Sequence, residues 1–241
     1  MSHKSQGTIG LVKTTDSGYR AWCRSRRERA ENGRPRDPFA QDYNAELIRW
    51  EGVVQQLLAA AMPNSMDERI LVSTRYDRKG KVATIYHELD FVSGTFSTPQ
   101  MFVEIKIREQ SVNAKSGWSQ LDRSLGIART KWPDLRGICV NIAIGDLLGT
   151  EPECVMTPTA IPDMHDAVAD LSQQDGATIW LRGSDVAAFA LEHSLLTCED
   201  VLQLRDLRQA MLNPTIVLQM RDAPPETNQP GLFDRFRHVS K

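Results

Sequence analysis

The sequence predicts an α/β protein in which helices flank a central mixed sheet. Apolar residues recur at helical spacing in some segments and at strand spacing in others, in the order α-β-β-β-α-β-α-β-α-α. One strand candidate is a nearly continuous apolar run, which is typical of a strand buried on both faces. Hydrophobic residues make up 41% of the 241 residues and charged residues 25%, so the chain can bury a sizeable core.

The first helix is predicted over residues 39–62, just before the helix breaker Pro63. Its apolar residues follow spacings of three and four, at Leu47, Trp50, Val54, Leu58 and Ala61. Three strand candidates come next, over residues 69–77, 81–92 and 101–109. Turn-forming residues separate these candidates, so we expect a three-stranded antiparallel meander.

A second helix is predicted from about Ser116 to Trp132, because apolar residues again recur at spacings of three and four. The apolar run over 136–147 then supplies the buried strand. The remaining predictions are a helix over 163–174, a strand over 178–183, and helices over about 184–195 and 198–212.

Composition divides the chain into three regions. Residues 38–220 are expected to form a single α/β domain. Residues 1–37 look irregular and basic, and Arg26 and Arg27 lie in their arginine-rich stretch. Such an arm is either solvated or in contact with phosphates, and both interpretations stay open. Residues 221–241 are rich in proline and polar residues and are expected to form a flexible tail.

Charge and cysteine content narrow the functional classes. The formal net charge of −2 gives no global attraction to nucleic acid, so any such affinity must come from a local patch. The four cysteines show no metal-binding spacing, which favours a reduced, cytoplasmic protein. We expect neither a signal peptide nor a membrane span, because no apolar run has the required length.

Three charged residues on neighbouring strands form the candidate site. Alternation along the strands places Glu104 and Lys106 on one face, and a hairpin would bring Asp90 beside them. Two adjacent carboxylates repel each other, and a hard divalent cation relieves that repulsion. A water on such a cation can become a nucleophile, with the lysine amine beside it. The alternative is a hairpin with a solvated, charged face on which Glu104 and Lys106 merely pair with neighbours.

The pattern of Asp90 followed by Glu104-Ile105-Lys106 in an apolar strand resembles the PD-(D/E)XK nuclease superfamily. The resemblance covers roughly residues 39–147, although the proline that often precedes the motif aspartate is missing. It implies a restriction-endonuclease-like fold and a metal-dependent deoxyribonuclease. It also implies Mg²⁺ or Mn²⁺ on Asp90 and Glu104, and a water positioned by Lys106.

Family members also carry supporting polar residues on two helices. Gln120 matches the residue early in the helix after the motif, and Glu51, in preference to Glu46, matches the acid of the first helix. On the polar face of the second helix, Arg123, Arg129 and Lys131 are expected either to contact nucleic acid or to be ordinary surface residues.

The tail carries a second resemblance. Its Gln229, Leu232 and Phe233 have the spacing of the peptide by which bacterial DNA-processing proteins dock on the replication sliding clamp. Two adjacent apolar anchors and a glutamine suit such a pocket. The alternative is that Leu232 and Phe233 fold back on the domain.

Together these features predict a metal-dependent nuclease that acts on DNA in repair, replication-associated processing or phage defence. A non-catalytic nucleic-acid-binding or adaptor module on the same fold is the alternative. RNA as the substrate stays open, because nothing in the sequence reads a 2′-hydroxyl. The helices within 150–220 could cover the sheet, clamp the substrate or form the face of a homodimer.

Overall fold

The computed structural model describes residues 7–31, 38–62, 64–76, 80–109, 115–149 and 175–212. The strands are β1 (Ile9–Val12), β2 (Ile70–Tyr76), β3 (Val82–Glu88), β4 (Phe91–Gly94), β5 (Pro99–Arg108), β6 (Arg136–Ala143) and β7 (Ala177–Arg182). The helices are α1 (Ser17–Glu31), α2 (Pro38–Ala61), α3 (Lys115–Ala128), α4 (Gly145–Leu148), α5 (Gly183–Glu192) and α6 (Cys198–Leu212). The helix predicted over 163–174 and the tail over 221–241 lie outside the described residues.

The strands form two sheets. In the first, β1, β2 and β3 are antiparallel neighbours. In the second, β4 is antiparallel to β5, whereas β5, β6 and β7 run parallel. An isolated bridge between Ser65 and Ser93 joins the segment before β2 to β4. The predicted α/β class with a mixed sheet is therefore confirmed.

The second predicted strand, over 81–92, is interrupted near its C-terminal end, at Leu89 and Asp90. Leu89 still donates its amide to the carbonyl of Arg69 at 2.9 Å, which closes the first sheet. Two residues later, Phe91 pairs with Val103 in the second sheet. Between them Asp90 uses its side chain, not its backbone, to accept the amide of Ile105. The expected single meander is thus two antiparallel pairs in different sheets.

The expectation of an irregular N-terminal region is wrong over Ile9–Glu31. The strand β1 pairs with β2, and its Leu11 is only 1% exposed. The helix α1 turns Tyr19 and Trp22, one turn apart, towards Tyr86 of β3. The high arginine content hid this pattern, in which Arg20, Arg24 and Arg27 are exposed and Tyr19 is buried.

The second sheet lies between two apolar cores. On one face, α2, α5 and α6 pack against alternate residues of the strands, including Val103 and Ile105. On the other face, α3 packs against Phe102, together with Leu11 and Leu71 from the first sheet. None of the described helices is long and apolar enough to cross a membrane.

Two predicted boundaries move for physical reasons. The helix α3 ends at Ala128, and Trp132 is held beyond it by its indole N–H, which donates to the carbonyl of Ser97 at 2.9 Å. The strand β6 ends at Ala143, since the following glycine and acidic residue begin the short helix α4. Between β4 and β5, Thr95 and Thr98 exchange backbone hydrogen bonds and close a tight turn.

Candidate active site

Asp90 lies at the junction of the two sheets. Its Oδ2 accepts the amide of Ile105 at 2.7 Å, and its carbonyl accepts Arg69 Nη1 at 2.7 Å. Phe91 pairs with Val103, so the same register continued by one residue sets Asp90 opposite Glu104. Both the backbone and the side chain of this aspartate are therefore fixed in place.

Glu104 and Lys106 share one face of β5, as alternation predicted. The Lys106 ammonium forms an ion pair with Glu104 Oε1 and lies 3.9 Å from Asp90 Oδ2. Glu104 is only 1% exposed, so the alternative of a solvated, charged hairpin face is wrong. The structure brings together the three residues that the sequence placed at the centre of the site.

Gly117 lets α3 approach these side chains closely. A Cβ atom at this position would lie 2.7 Å from Cys139 Sγ and 3.2 Å from Lys106 Cγ. The former distance is shorter than ordinary contact, so a larger residue would push against the site. The start of α3 therefore forms the wall above Lys106 and Glu104. This role of Gly117 could not be predicted from the sequence, in which it is only a glycine within a predicted helix.

Burial and mutual repulsion set the protonation of the carboxyls. Burial, and then the charge of Asp90, raise the pKa of Glu104 to about 7, although Lys106 opposes this. Burial also raises the pKa of Asp90, against the Ile105 amide and Lys106. Burial acts to lower the pKa of Lys106, but its hydrogen bond to Glu104 and the nearby acids raise it overall. The amine therefore stays charged, and Glu104 is partly protonated at neutral pH.

Glu51 is the acid of α2 whose carboxyl interacts electrostatically with Asp90 and Lys106. Burial, and then the charge of Asp90, raise its pKa to about 7, while Lys106 lowers it. Glu46 lies elsewhere, with its Oε1 3.8 Å from Nη1 of Arg49, which in turn pairs with Asp200. The expected choice of Glu51 over Glu46 agrees with this placement.

Gln120 faces an open cleft of about 400 Å³ between α1, β3 and α3. The cleft contains aromatic, basic and polar side chains from all three elements, among them Trp22, Arg26, Tyr86, Glu88, Gln120 and Arg123. The predicted basic residues Arg26 and Arg123 are thereby brought together. Gln120 lies one helical turn after Gly117, so the cleft adjoins the carboxylate site.

The other predicted basic residues lie apart from this cleft. Arg129 donates to both oxygens of Asp175 and to the carbonyl of Leu135. Lys131 donates to the carbonyl of Ile9 at 2.8 Å and lies beside the start of β5. Arg27 is exposed on α1. The structure thus uses Arg129 to tie α3 to the segment before β7.

Some residues at the site escaped the sequence analysis. Asn141 is fully buried beside Lys106 in the parallel register, and its Oδ1 accepts Arg108 Nε at 3.1 Å. A polar residue within the apolar run over 136–147 was an available signal. No sequence pattern indicated that Arg69 would donate to the carbonyl of Asp90. The clamp-like residues Gln229, Leu232 and Phe233 lie outside the described residues.

The donor set is suited to a hard divalent cation. Asp90 and Glu104 offer carboxylate oxygens, which Mg²⁺ and Mn²⁺ prefer. The buried Oε1 of Glu104 forms an ion pair with the Lys106 ammonium. No cluster of three or more His, Cys, Asp or Glu side chains in the described ranges is arranged to hold a metal. Asp90 and Glu104 would be the protein ligands of such an ion.

Comparisons with known proteins give no identity. Searches against protein-family models, curated proteins and solved structures found no match for this chain. Function must therefore be inferred from the convergence of Asp90, Glu104 and Lys106 and from the cleft beside them.

Proposed function

We propose that this protein is a divalent-metal-dependent nuclease that hydrolyses DNA phosphodiester bonds, with a site of the PD-(D/E)XK type. The observation that carries the proposal is the contact of Lys106 with both Asp90 and Glu104 in a buried site. Three ionisable groups of this kind are costly to bury, and chemistry is a common reason for such an arrangement.

The order of elements supports a restriction-endonuclease-like core. After α2 come β2, the interrupted strand β3–β4, then β5, α3 and β6. The parallel pairing of β5 with β6 across α3 agrees with that core. In this arrangement Asp90 lies between β3 and β4, and Glu104 and Lys106 lie in β5.

In the proposed reaction Asp90 and Glu104 would hold Mg²⁺ or Mn²⁺. The ion would supply a polarised water and would neutralise charge on the phosphate. Lys106, which stays charged, would orient the attacking water and stabilise negative charge that develops on the phosphoryl oxygens. The wall formed by α3 would limit access of bulk water to the buried carboxylate of Glu104.

Two supporting roles follow from position. Glu51, whose carboxyl is coupled to Asp90, would accept a proton or a hydrogen bond from water at the site. Gln120, in the adjoining cleft, would hold the nucleic-acid strand next to the scissile phosphate.

A cleavage assay tests the proposal. Plasmid and linear DNA are incubated with Mg²⁺ or Mn²⁺ and with the wild type, Asp90→Ala or Lys106→Ala. We expect each variant to lose at least about 100-fold in rate, in line with groups that act directly on proton transfer or charge. Lys13→Ala is the matched control, because this lysine pairs with Asp67 and Glu68 on the surface. Cleavage that persists unchanged in both site variants would remove the proposed site.

A non-catalytic nucleic-acid-binding or adaptor module is the second candidate. It is favoured by one observation, namely that the Lys106 ammonium forms ion pairs with both Asp90 and Glu104. Calorimetry separates the two functions. Absence of Mg²⁺ and Mn²⁺ binding, together with salt-sensitive DNA binding, would favour the module.

The cellular setting is part of the same proposal. We place the enzyme in the cytoplasm, in DNA repair, replication-associated processing or phage defence. Docking of Gln229, Leu232 and Phe233 on a sliding clamp would favour the replication-associated role. Parallel assays on RNA of the same sequence decide whether the substrate is restricted to DNA.

A further inference from the structure

We infer that the cleft between α1, β3 and α3 binds an unpaired segment of single-stranded DNA next to the active site. The inference rests on the proposed function for its substrate class. Its test, however, measures binding without cleavage, so it can fail or succeed independently of the nuclease activity.

Aromatic rings form one wall of the cleft. The ring centroids of Trp22 and Tyr86 are 5.7 Å apart, with the planes inclined by 52°. Tyr19 packs against both rings from behind. The Arg26 guanidinium lies 4.7 Å from the centroid of the Trp22 ring. Unpaired bases stack on aromatic rings and on guanidinium planes, so this wall suits a nucleobase.

Positive charge comes from two sides of the cleft. Arg26 projects from α1 and Arg123 from α3, and both line the same opening. The acid of the cleft is Glu88, whose Oε1 already accepts the hydroxyl of Tyr19 at 2.5 Å. A backbone phosphate between the two arginines would therefore meet guanidinium donors on each side.

The size of the cleft favours a single strand. Its volume of about 400 Å³ lies at the lower end of the range of small-ligand sites. This volume is of the size of one unpaired nucleotide, and a base pair with both of its backbones needs more room. Ser119 and Gln120 add polar groups that can contact base edges or sugar.

Two walls of the cleft are formed by residues that are close in sequence to the carboxylate site. Gly117, at the start of α3, abuts Lys106 and Glu104, and Gln120 lines the cleft one turn later. On the opposite wall, Glu88 lies in the cleft two residues before Asp90. A strand seated in the cleft would therefore lead its next phosphate towards Lys106.

The first experiment measures binding by fluorescence anisotropy, with a labelled oligothymidine and the matching duplex in EDTA. We expect the single strand to bind more tightly than the duplex. Arg26→Ala and Arg123→Ala should weaken single-strand binding, and each should lower the slope of log affinity against log salt by about 0.7. Arg24→Ala is the matched control, since Arg24 is exposed on the same helix but does not line the cleft. Equal losses in Arg24→Ala and Arg26→Ala, or preference for the duplex, would overturn the inference.

The second experiment isolates base stacking. An oligonucleotide with abasic positions should bind the wild type at least about fivefold more weakly than the intact strand. Trp22→Leu should remove most of this difference, and Trp22→Phe should retain it, with thermal unfolding used to check that both variants fold. An abasic strand that binds as well as the intact one would sink the inference. Lys13→Ala, whose lysine pairs with Asp67 and Glu68 on the surface, should bind the single strand like the wild type whether or not the nuclease proposal holds.

Discussion

Asp90 replaces a backbone group in the ladder between β4 and β5, since its Oδ2 accepts the amide of Ile105 at 2.7 Å. If the register continued, Ile105 would pair with Leu89 and donate to its carbonyl; here the Asp90 side chain accepts that amide, and the carbonyl of Asp90 accepts Arg69. The substitution fixes a carboxylate at the edge of the ladder, opposite Glu104. The position of the acid thus follows from strand pairing and does not depend on a metal.

Metal affinity should depend on pH around neutrality. Burial and Asp90 raise the pKa of Glu104 to about 7, and burial and Asp90 do the same to Glu51. A divalent cation binds the deprotonated acids, so its affinity should increase as the pH rises through about 7. Below this pH, binding of the cation should release up to about one proton from the carboxyls. Calorimetry with Mn²⁺ at pH 6 and pH 8, in buffers of different ionisation enthalpy, measures this release. Identical affinity and proton release at both pH values would contradict the site.

The free energy of unfolding should carry the opposite trend in the metal-free protein. The folded-state pKa of Glu104 is about 7, above its ordinary value of 4.5, so the folded state binds the proton more tightly. The contribution of Glu104 to stability is therefore present below pH 4.5 and is lost as the pH rises through about 7. Urea unfolding over this range should show stability falling more steeply in the wild type than in Glu104→Gln. Parallel curves for the two proteins would argue against the raised pKa.

Gly117→Ala should impair activity without unfolding the protein. The added Cβ would meet Cys139 Sγ at 2.7 Å and Lys106 Cγ at 3.2 Å, so the amine would be displaced. Displacement of about 1 Å can cost on the order of 100-fold in rate. Steady-state cleavage, beside thermal unfolding, measures both effects.

Gly126→Ala is the control for this change. Gly126 lies on the same helix, and a Cβ there meets nothing within 4 Å. It should raise stability by about 1 kcal/mol at most through helix propensity and leave cleavage unchanged. Full activity of Gly117→Ala would show that Lys106 tolerates the shift.

Glu51→Gln and Glu46→Gln separate the two acids of α2. The carboxyl of Glu51 is coupled to Asp90, whereas Glu46 lies beside Arg49. Loss of a supporting group typically costs about 10- to 100-fold in activity or metal affinity, so we expect this loss for Glu51→Gln alone. The measurements are cleavage rate and Mn²⁺ affinity. A larger effect of Glu46→Gln would move the supporting role to the other acid.

Arg129 should contribute to stability and not to DNA affinity. Its guanidinium binds Asp175, whose Oδ1 also accepts the amide of Gly137 at 3.0 Å. Both side chains are partly exposed, so the pair should contribute up to about 1 kcal/mol. A double-mutant cycle with Arg129→Ala and Asp175→Ala, read by urea unfolding, measures this coupling. If Arg129→Ala lowers DNA affinity and the cycle shows no coupling energy, Arg129 instead contacts nucleic acid.

The elements with a strong period could be predicted from the sequence. The apolar stripe of α2 and the alternation in β5 gave their existence, type and nearly their bounds. The break at Leu89 could not be predicted, since a side chain completes the ladder there and the alternation of residues is unchanged. The helix α1 was not predicted, because arginine dominates its sequence and obscures the spacing of Tyr19 and Trp22.

The centre of the site was predictable for a different reason. Asp90, Glu104 and Lys106 are charged residues within otherwise apolar segments. Charged residues are unusual in such segments, so they indicate a specific role. Their burial was not predictable, because it depends on α3 lying over that face at Gly117. The cleft also escaped prediction, since its walls come from three elements far apart in the sequence.

The tight turn closed by Thr95 and Thr98 has a consequence for how this chain can vary. Residues added between these two threonines would lengthen a surface loop and leave the register of β4 and β5 unchanged. One residue added within Met101–Val103 would turn Glu104 towards the opposite core, and one added within Phe91–Ser93 would move Asp90 out of register with Glu104. Descendants of this sequence should therefore tolerate changes of length at the hairpin tip and almost nowhere else between Asp90 and Glu104.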